Sequence, residues 1–131
     1  MEQLIKRSFV IQQLPERIAV VHMDLGSEVP PWAWNGSLAA VIQTTEELTI
    51  VCDQAAVPGH LTSELDRIAF KLEGPLPFSM TGVLASLLGP LASRRIPVFV
   101  VSTYETDYIL VKADQAQEAK ESFQAEGHQV V

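Results

Sequence analysis

The chain has 131 residues, of which 47% are hydrophobic and 19% charged, and its sixteen acidic against nine basic residues give a net charge of −7. This length suits one ordinary domain or two small units sharing a core, and no apolar run approaches the roughly 20 residues needed to cross a bilayer. The basic residues are scattered, with Lys6-Arg7 and Arg94-Arg95 as the adjacent pairs, so no clustered footprint for nucleic acid is present.

From the N-terminus, Met1-Glu-Gln-Leu-Ile-Lys-Arg7 lacks the order of basic region, apolar run and small-residue cleavage site of a secretory signal, which predicts a cytoplasmic protein. Ser8–Gln13 and Arg17–Met23 read as strands about a turn at Leu14-Pro15-Glu16. Gly26–Asn35 is a loop, too proline-rich at Pro30-Pro31 to begin a regular strand. Leu38–Gln43 and Leu48–Val51 form a second strand pair across Thr44-Thr45-Glu46-Glu47, and Pro58-Gly59 marks a short connection. A further strand begins at Asp66, runs through Ile68–Leu72 and ends at Gly74-Pro75.

Gly82–Arg95 is the clearest helix, with Val83, Leu84, Leu87, Leu88 and Leu91 in one apolar stripe. Pro90 inside it removes the hydrogen bond to residue 86 and predicts a kink. Val98–Val101 and Tyr108–Val111 flank the polar bridge Ser102-Thr-Tyr-Glu-Thr-Asp107 and read as a hairpin, though without the Asn-Gly or Asp-Gly of a two-residue turn. Asp114–Glu126 is a second helix closed by Gly127, and His128–Val131 a last short strand. The second half thus has the β-α-β-β-α-β, ferredoxin-like order. Val41–Val51 matches Val101–Val111 in pattern at an offset of sixty, apolar at both ends with a hydroxyl- and acid-rich bridge between.

The helix start Phe78-Ser-Met-Thr-Gly-Val-Leu84 followed by the Ser102–Asp107 hairpin resembles the ACT domain family of small-molecule sensors. The likeness is to the tandem branch that includes the regulatory regions of aspartate kinases and the animal cytosolic arginine sensors. It is strongest over 67–131 and weaker over 8–66. The resemblance implies an α+β fold of two ferredoxin-like ACT-type units packed together. A degenerate unit over residues 1–66 has the proline-tryptophan loop where its first helix should lie, and a complete one spans 67–131. It also implies a ligand site lined by Met80, Thr81, Gly82 and Val83 with Ser102, Thr103, Tyr104, Thr106 and Asp107, and no catalytic residues.

The residues supply chemistry for such a site. A helix N-terminus at Gly82 offers unpaired N–H groups and a positive dipole end to a carboxylate, and the missing β-carbon admits close approach. Thr103, Thr106 and Asp107 offer acceptors, with Asp107 matched to an ammonium group, so both halves of an α-amino acid are provided for. Structural alternatives stand beside each assignment: Asp107 as a turn residue, Thr81 or Ser79 as a helix N-cap, and Tyr104 as either an exposed loop aromatic or a lid. Trp32 and Trp34, two apart, would point the same way in an extended chain, toward the core, a partner or a closing loop.

Other function classes lack support. The single cysteine, Cys52, lies in the apolar Leu48–Cys52 run and reads as a small buried hydrophobe; alone it excludes an internal disulfide framework and a Cys-based zinc site. His22, His60 and His128 have no metal-ligand spacing, so neither metal nor cofactor is expected. No nucleophile elbow, P-loop or dinucleotide fingerprint is present, and Glu46-Glu47 is no matched acid and base. The expectation is a non-catalytic binder of a small molecule, an amino acid by the resemblance, forming a homodimer through edge strands, without nucleic-acid or membrane partners. Two alternatives stay open: a protein-protein interaction module anchored by the tryptophan loop, and a detached regulatory subunit of an amino-acid biosynthetic enzyme.

Overall fold

A computed structural model describes residues 8–74 and 81–131. The strands are β1 (Val10–Gln13), β2 (Ile18–Asp24), β3 (Ala40–Gln43), β4 (Glu47–Asp53), β5 (Ser63–Leu72), β6 (Phe99–Ser102), β7 (Asp107–Lys112) and β8 (Gln129–Val130); the helices are α1 (Val83–Ser93) and α2 (Ala116–Ala125). The fold is α+β, and from β5 to β8 the order is β-α-β-β-α-β. The chain divides into Pro15–Ile68 and a second unit made of Met1–Leu14 with Ala69–Val131, so β5 contributes to both. No helix among the described residues is long and apolar enough to span a membrane.

In the unit containing Ala69–Val131 the strand order is β6-β7-β5-β1-β8. Strand β1 lies antiparallel to β5, with Ile11 opposite Leu72, and parallel to β8, with Ile11 opposite Val130. The sequence reading groups these N-terminal residues with 1–66. Their ladder bonds run within the unit that holds Ala69–Val131, where Glu73 N–H donates to Val10 O, Gln13 N–H to Val131 O and Val131 N–H to Ile11 O, each at 2.9 Å. The reason is physical: Ile11 is fully buried, and a buried backbone needs partners on both sides. Phe70 of β5 meets Phe123 of α2 edge to face at 5.3 Å between centroids, an arrangement aromatic quadrupoles favour.

Val83, Leu87 and Leu91 of α1 are buried at the i, i+4, i+8 spacing of one helix face, with Leu84 and Leu88 half-buried beside them. The helix continues through Pro90 to Ser93. Both helices end the same way. After α1, Arg95 has φ 60°, Arg95 N–H donates to Ala92 O at 2.9 Å and Ile96 N–H to Leu91 O at 3.1 Å. After α2, Gly127 has φ 92°, Gly127 N–H donates to Gln124 O at 3.0 Å and His128 N–H to Phe123 O at 3.1 Å. These are Schellman caps, each followed by a buried residue, Ile96 or His128.

In Pro15–Ile68 the order is β3-β4-β2, followed by the first residues of β5. Ala19, Val21 and Met23 of β2 stand opposite Cys52, Ile50 and Leu48 of β4. This face forms a core cluster with Ala33, against which Trp32, Val41, Val57 and Leu61 pack. The proline-rich segment is a 3₁₀ turn over Pro31–Trp34. At three residues per turn, positions two apart diverge, so Trp32 is half-buried while Trp34 stays 61% exposed. Strand β5 begins earlier than the sequence pattern suggests and carries a bulge opposite Ile18–Val20. Asp66 sits there at φ 58°, donating its N–H to Gln54 Oε1 at 2.6 Å and accepting from Gln54 Nε2 at 3.1 Å and Arg17 at 2.9 Å.

The hairpins β3–β4 and β6–β7 share one turn chemistry. Thr44 N–H donates to Glu47 O at 3.0 Å, and Thr44 Oγ1 accepts from Glu47 N–H at 3.1 Å. Thr103 N–H donates to Thr106 O at 2.8 Å, and Thr103 Oγ1 accepts from Thr106 N–H at 3.2 Å. Thr44 therefore answers to Thr103, one residue out of step with the sixty-residue offset in the sequence.

Candidate functional site

The helix-start half of the candidate site begins at Thr81, which is exposed; Met80, with Phe78 and Ser79, lies outside the described residues. Gly82 precedes α1 at φ 77°, a left-handed conformation that side chains other than glycine adopt at a cost. Its carbonyl accepts the first helical bond from Ser86 N–H at 3.0 Å. Among the described residues, no side chain caps the helix at Gly82 and nothing lies within 4 Å of where its Cβ would stand. The backbone N–H groups of the first turn stand at the positive end of the helix dipole. Val83 turns its side chain into the core and is 8% exposed, so its amide, not its isopropyl group, is what it can offer a ligand.

The hairpin half is the β6–β7 connection. Ser102 stands opposite Asp107 across the two strands. Thr103 and Thr106 hold the turn together by the bonds given above, and Tyr104 at its corner is 80% exposed. Thr106 is buried, and its hydroxyl donates to Leu72 O at 2.6 Å. That bond fixes the hairpin loop to the exit of β5. Asp107 is half-buried at the start of β7.

The chain path relates these halves. Helix α1 connects through the short segment 94–98 to β6, so its C-terminal end lies by the start of β6. Eleven residues of helix rise about 16 Å, which separates its N-terminus by that length from the 94–98 connection to β6. Amide donors at one helix end and hydroxyl and carboxylate acceptors at one strand end are a donor-acceptor pair suited to a small zwitterion.

Elsewhere the described residues offer little chemistry. Burial, and secondarily the Asp53 carboxylate, push the Cys52 thiol up from its ordinary range, which leaves it protonated and a poor nucleophile. No group of three His, Cys, Asp or Glu among the described residues is placed to hold a metal ion. The sequence reading missed the Asp66–Gln54–Arg17 cluster, which no local motif announces.

Known proteins resemble this chain in sequence and in fold. A family model for the ACT domain matches residues 62–124. A 35-residue stretch is 51% identical to the protein CASTOR3P of Homo sapiens, covering 27% of this chain and only 22% of that protein's length. Protein Atu0741 of Agrobacterium tumefaciens has a crystal structure similar to this one with a TM-score of 0.89, at 26% identity over 95% of this chain and 93% of that one. The regulatory subunit of aspartate kinase from Thermus flavus shares the fold with a TM-score of 0.65, at 10% identity, over 92% of this chain and 99% of that chain. By the matching model, the helix-start and hairpin motifs and the strand order that carries them, residues 62–124 of this chain, just under half of it, are similar to the ACT domain.

Proposed function

We propose that this protein is a non-catalytic regulatory sensor that binds a small molecule, an α-amino acid, at the start of α1 and the β6–β7 hairpin. The observation that carries the reading is the helix start at Gly82, which no side chain among the described residues caps. It supports capture of a carboxylate by the first-turn amides, with Asp107 and the Thr103 hydroxyl as acceptors for the ammonium group. Thr81 and Tyr104 flank the bound molecule. Binding acts by population shift: a ligand with higher affinity for one arrangement of the chain raises that arrangement's share. The protein works in the cytoplasm, as a homodimer, with neither nucleic acid nor membrane as a partner.

The test is a thermal-shift screen of the purified protein against the twenty amino acids, with Asp107→Ala alongside. A ligand at a hundred times its dissociation constant adds about 2.7 kcal/mol, a rise of roughly 5–10 °C for a chain of this size. The reading expects that rise with one amino acid or a close chemical group of them, lost in Asp107→Ala. No rise with any of the twenty overturns it.

A second reading makes the chain a detached regulatory subunit of an amino-acid biosynthetic enzyme. Its support is the likeness, over nearly the whole of both chains, to an aspartate kinase regulatory subunit. In that case the ligand binds equally well but the output appears only with an enzyme that co-purifies.

A further inference from the structure

We propose that the outer edge of β3, together with Trp34, is a docking surface for an extended, positively charged segment of another protein. Among the described residues β3 pairs with β4 alone, so its other edge presents unpaired backbone N–H and C=O groups. Ile42 on this strand is 43% exposed. The Pro31–Trp34 turn packs against β3 and β4, and its backbone is held by Ala33 N–H to Pro30 O at 3.0 Å and Asn35 N–H to Trp32 O at 3.2 Å. Asp53 N–H in turn donates to Asn35 O at 3.0 Å, tying the turn to β4. Trp34 is therefore an indole 61% exposed on a turn whose backbone is held against the edge strand β3 and its neighbour β4.

Charge identifies the occupant. Pro15–Ile68 holds eight carboxylates and two arginines, so −6 of the chain's −7 falls on it. Both arginines are already engaged, Arg17 with Asp66 at 2.9 Å and Arg67 with Glu64 at 3.2 Å. Next to Trp34, Gly36 abuts Asp53, and Ser37 Oγ donates to Glu16 at 3.1 Å. Neither Glu16 nor Asp53 has a cationic partner among the described residues. A second copy presenting the same face would set −6 against −6 and be repelled, whereas a basic segment is attracted. Strand addition to the β3 edge supplies its backbone bonds, and an arginine or lysine over the Trp34 face gains a cation–π contact.

The test uses the full chain and two short synthetic peptides, one alternating valine with arginine, the other valine with glutamate. Binding is followed by calorimetry and tryptophan emission. The expected result is binding of the arginine peptide that weakens with salt and falls about tenfold in Trp34→Ala and in Ile42→Lys, with Trp34→Phe retaining part of it. Both side chains are exposed, so the variants keep the fold, and circular dichroism verifies this. Equal binding of the glutamate peptide overturns the proposal. So does undiminished binding of the arginine peptide to Trp34→Ala, which would be charge attraction without a site. A dimer that Ile42→Lys dissociates, in a chain that binds neither peptide, assigns the face to a second copy instead.

Discussion

The Thr106 hydroxyl donates to the Leu72 carbonyl at 2.6 Å across thirty-four residues of sequence, wholly out of water. This bond joins the loop of the β6–β7 hairpin to the exit of β5, the two segments between which the helix start of the candidate site is strung. Thr106→Val removes the donor while keeping the shape, leaving a buried carbonyl short of a partner. The expected loss is about 1–3 kcal/mol, read as a lower urea midpoint with an unchanged slope. Thr106→Ser retains the hydroxyl and should recover most of the loss. A Val variant as stable as the native protein would mean that the bond contributes nothing net.

The second half of the fold was legible in the sequence because its signals are local. The leucine stripe of α1, the β-branched runs of β6 and β7 and the glycine after α2 each report on neighbours in the chain. What was not legible is pairing at a distance. Nothing in Val10–Gln13 says that it will lie between β5 and β8, since its apolar pattern would fit any half-buried position. The β5 bulge was hidden for the same reason: Asp66 takes a left-handed backbone only because Gln54 and Arg17, remote in sequence, hold it there. At the candidate site, residue types were readable but their engagements were not. Thr106 reads as one of several free hydroxyls and is in fact committed to the main chain.

The matched helix ends make an internal experiment. Arg95 and Gly127 occupy the same position of the same cap, at φ 60° and 92°, but only one is glycine. A side chain in this region costs on the order of 1 kcal/mol. Arg95→Gly should therefore stabilise the protein by about 0.5–1 kcal/mol, and Gly127→Ala should destabilise it by about 1 kcal/mol or more. Chemical denaturation of the two variants would show shifts of opposite sign. Shifts of the same sign would mean that the two caps are not energetically alike.

Gly36 faces a harder constraint. Its φ of 110° lies outside the left-handed helical well, and an added Cβ would stand 3.0 Å from Asp53 Cβ and 3.2 Å from Asp53 N. Asp53 N–H is bonded to Asn35 O and cannot retreat without breaking that bond. Gly36→Ala should cost about 2–3 kcal/mol or more, strain and displacement together. Tryptophan emission should report it, since Trp32 and Trp34 sit on the adjoining turn.

Ser122 is 1% exposed on the inner face of α2, and its hydroxyl has no partner among the described residues. An unbonded buried hydroxyl costs free energy, and alanine is the better helix former. Ser122→Ala should raise stability by about 0.5–1.5 kcal/mol, measured as a higher thermal midpoint. A lower midpoint would show that the hydroxyl is bonded in solution.

The Asp66 carboxyl titrates below its ordinary range, chiefly because Gln54 donates to it and secondarily because Arg17 does. A depressed folded-state pKa means that the unfolded chain takes up the proton first as pH falls. The stabilisation is present above the unfolded value, near pH 4, and is lost as pH drops through the lower folded value. Asp66→Asn keeps a residue that tolerates the left-handed backbone and can still accept a hydrogen bond, but it carries no charge. The variant should be slightly less stable than the native protein at neutral pH, the small size following from a site open to water. The two stability profiles should converge below about pH 4. A gap that stays constant across the acid limb would assign the loss to altered hydrogen bonding in the bulge and not to the charge.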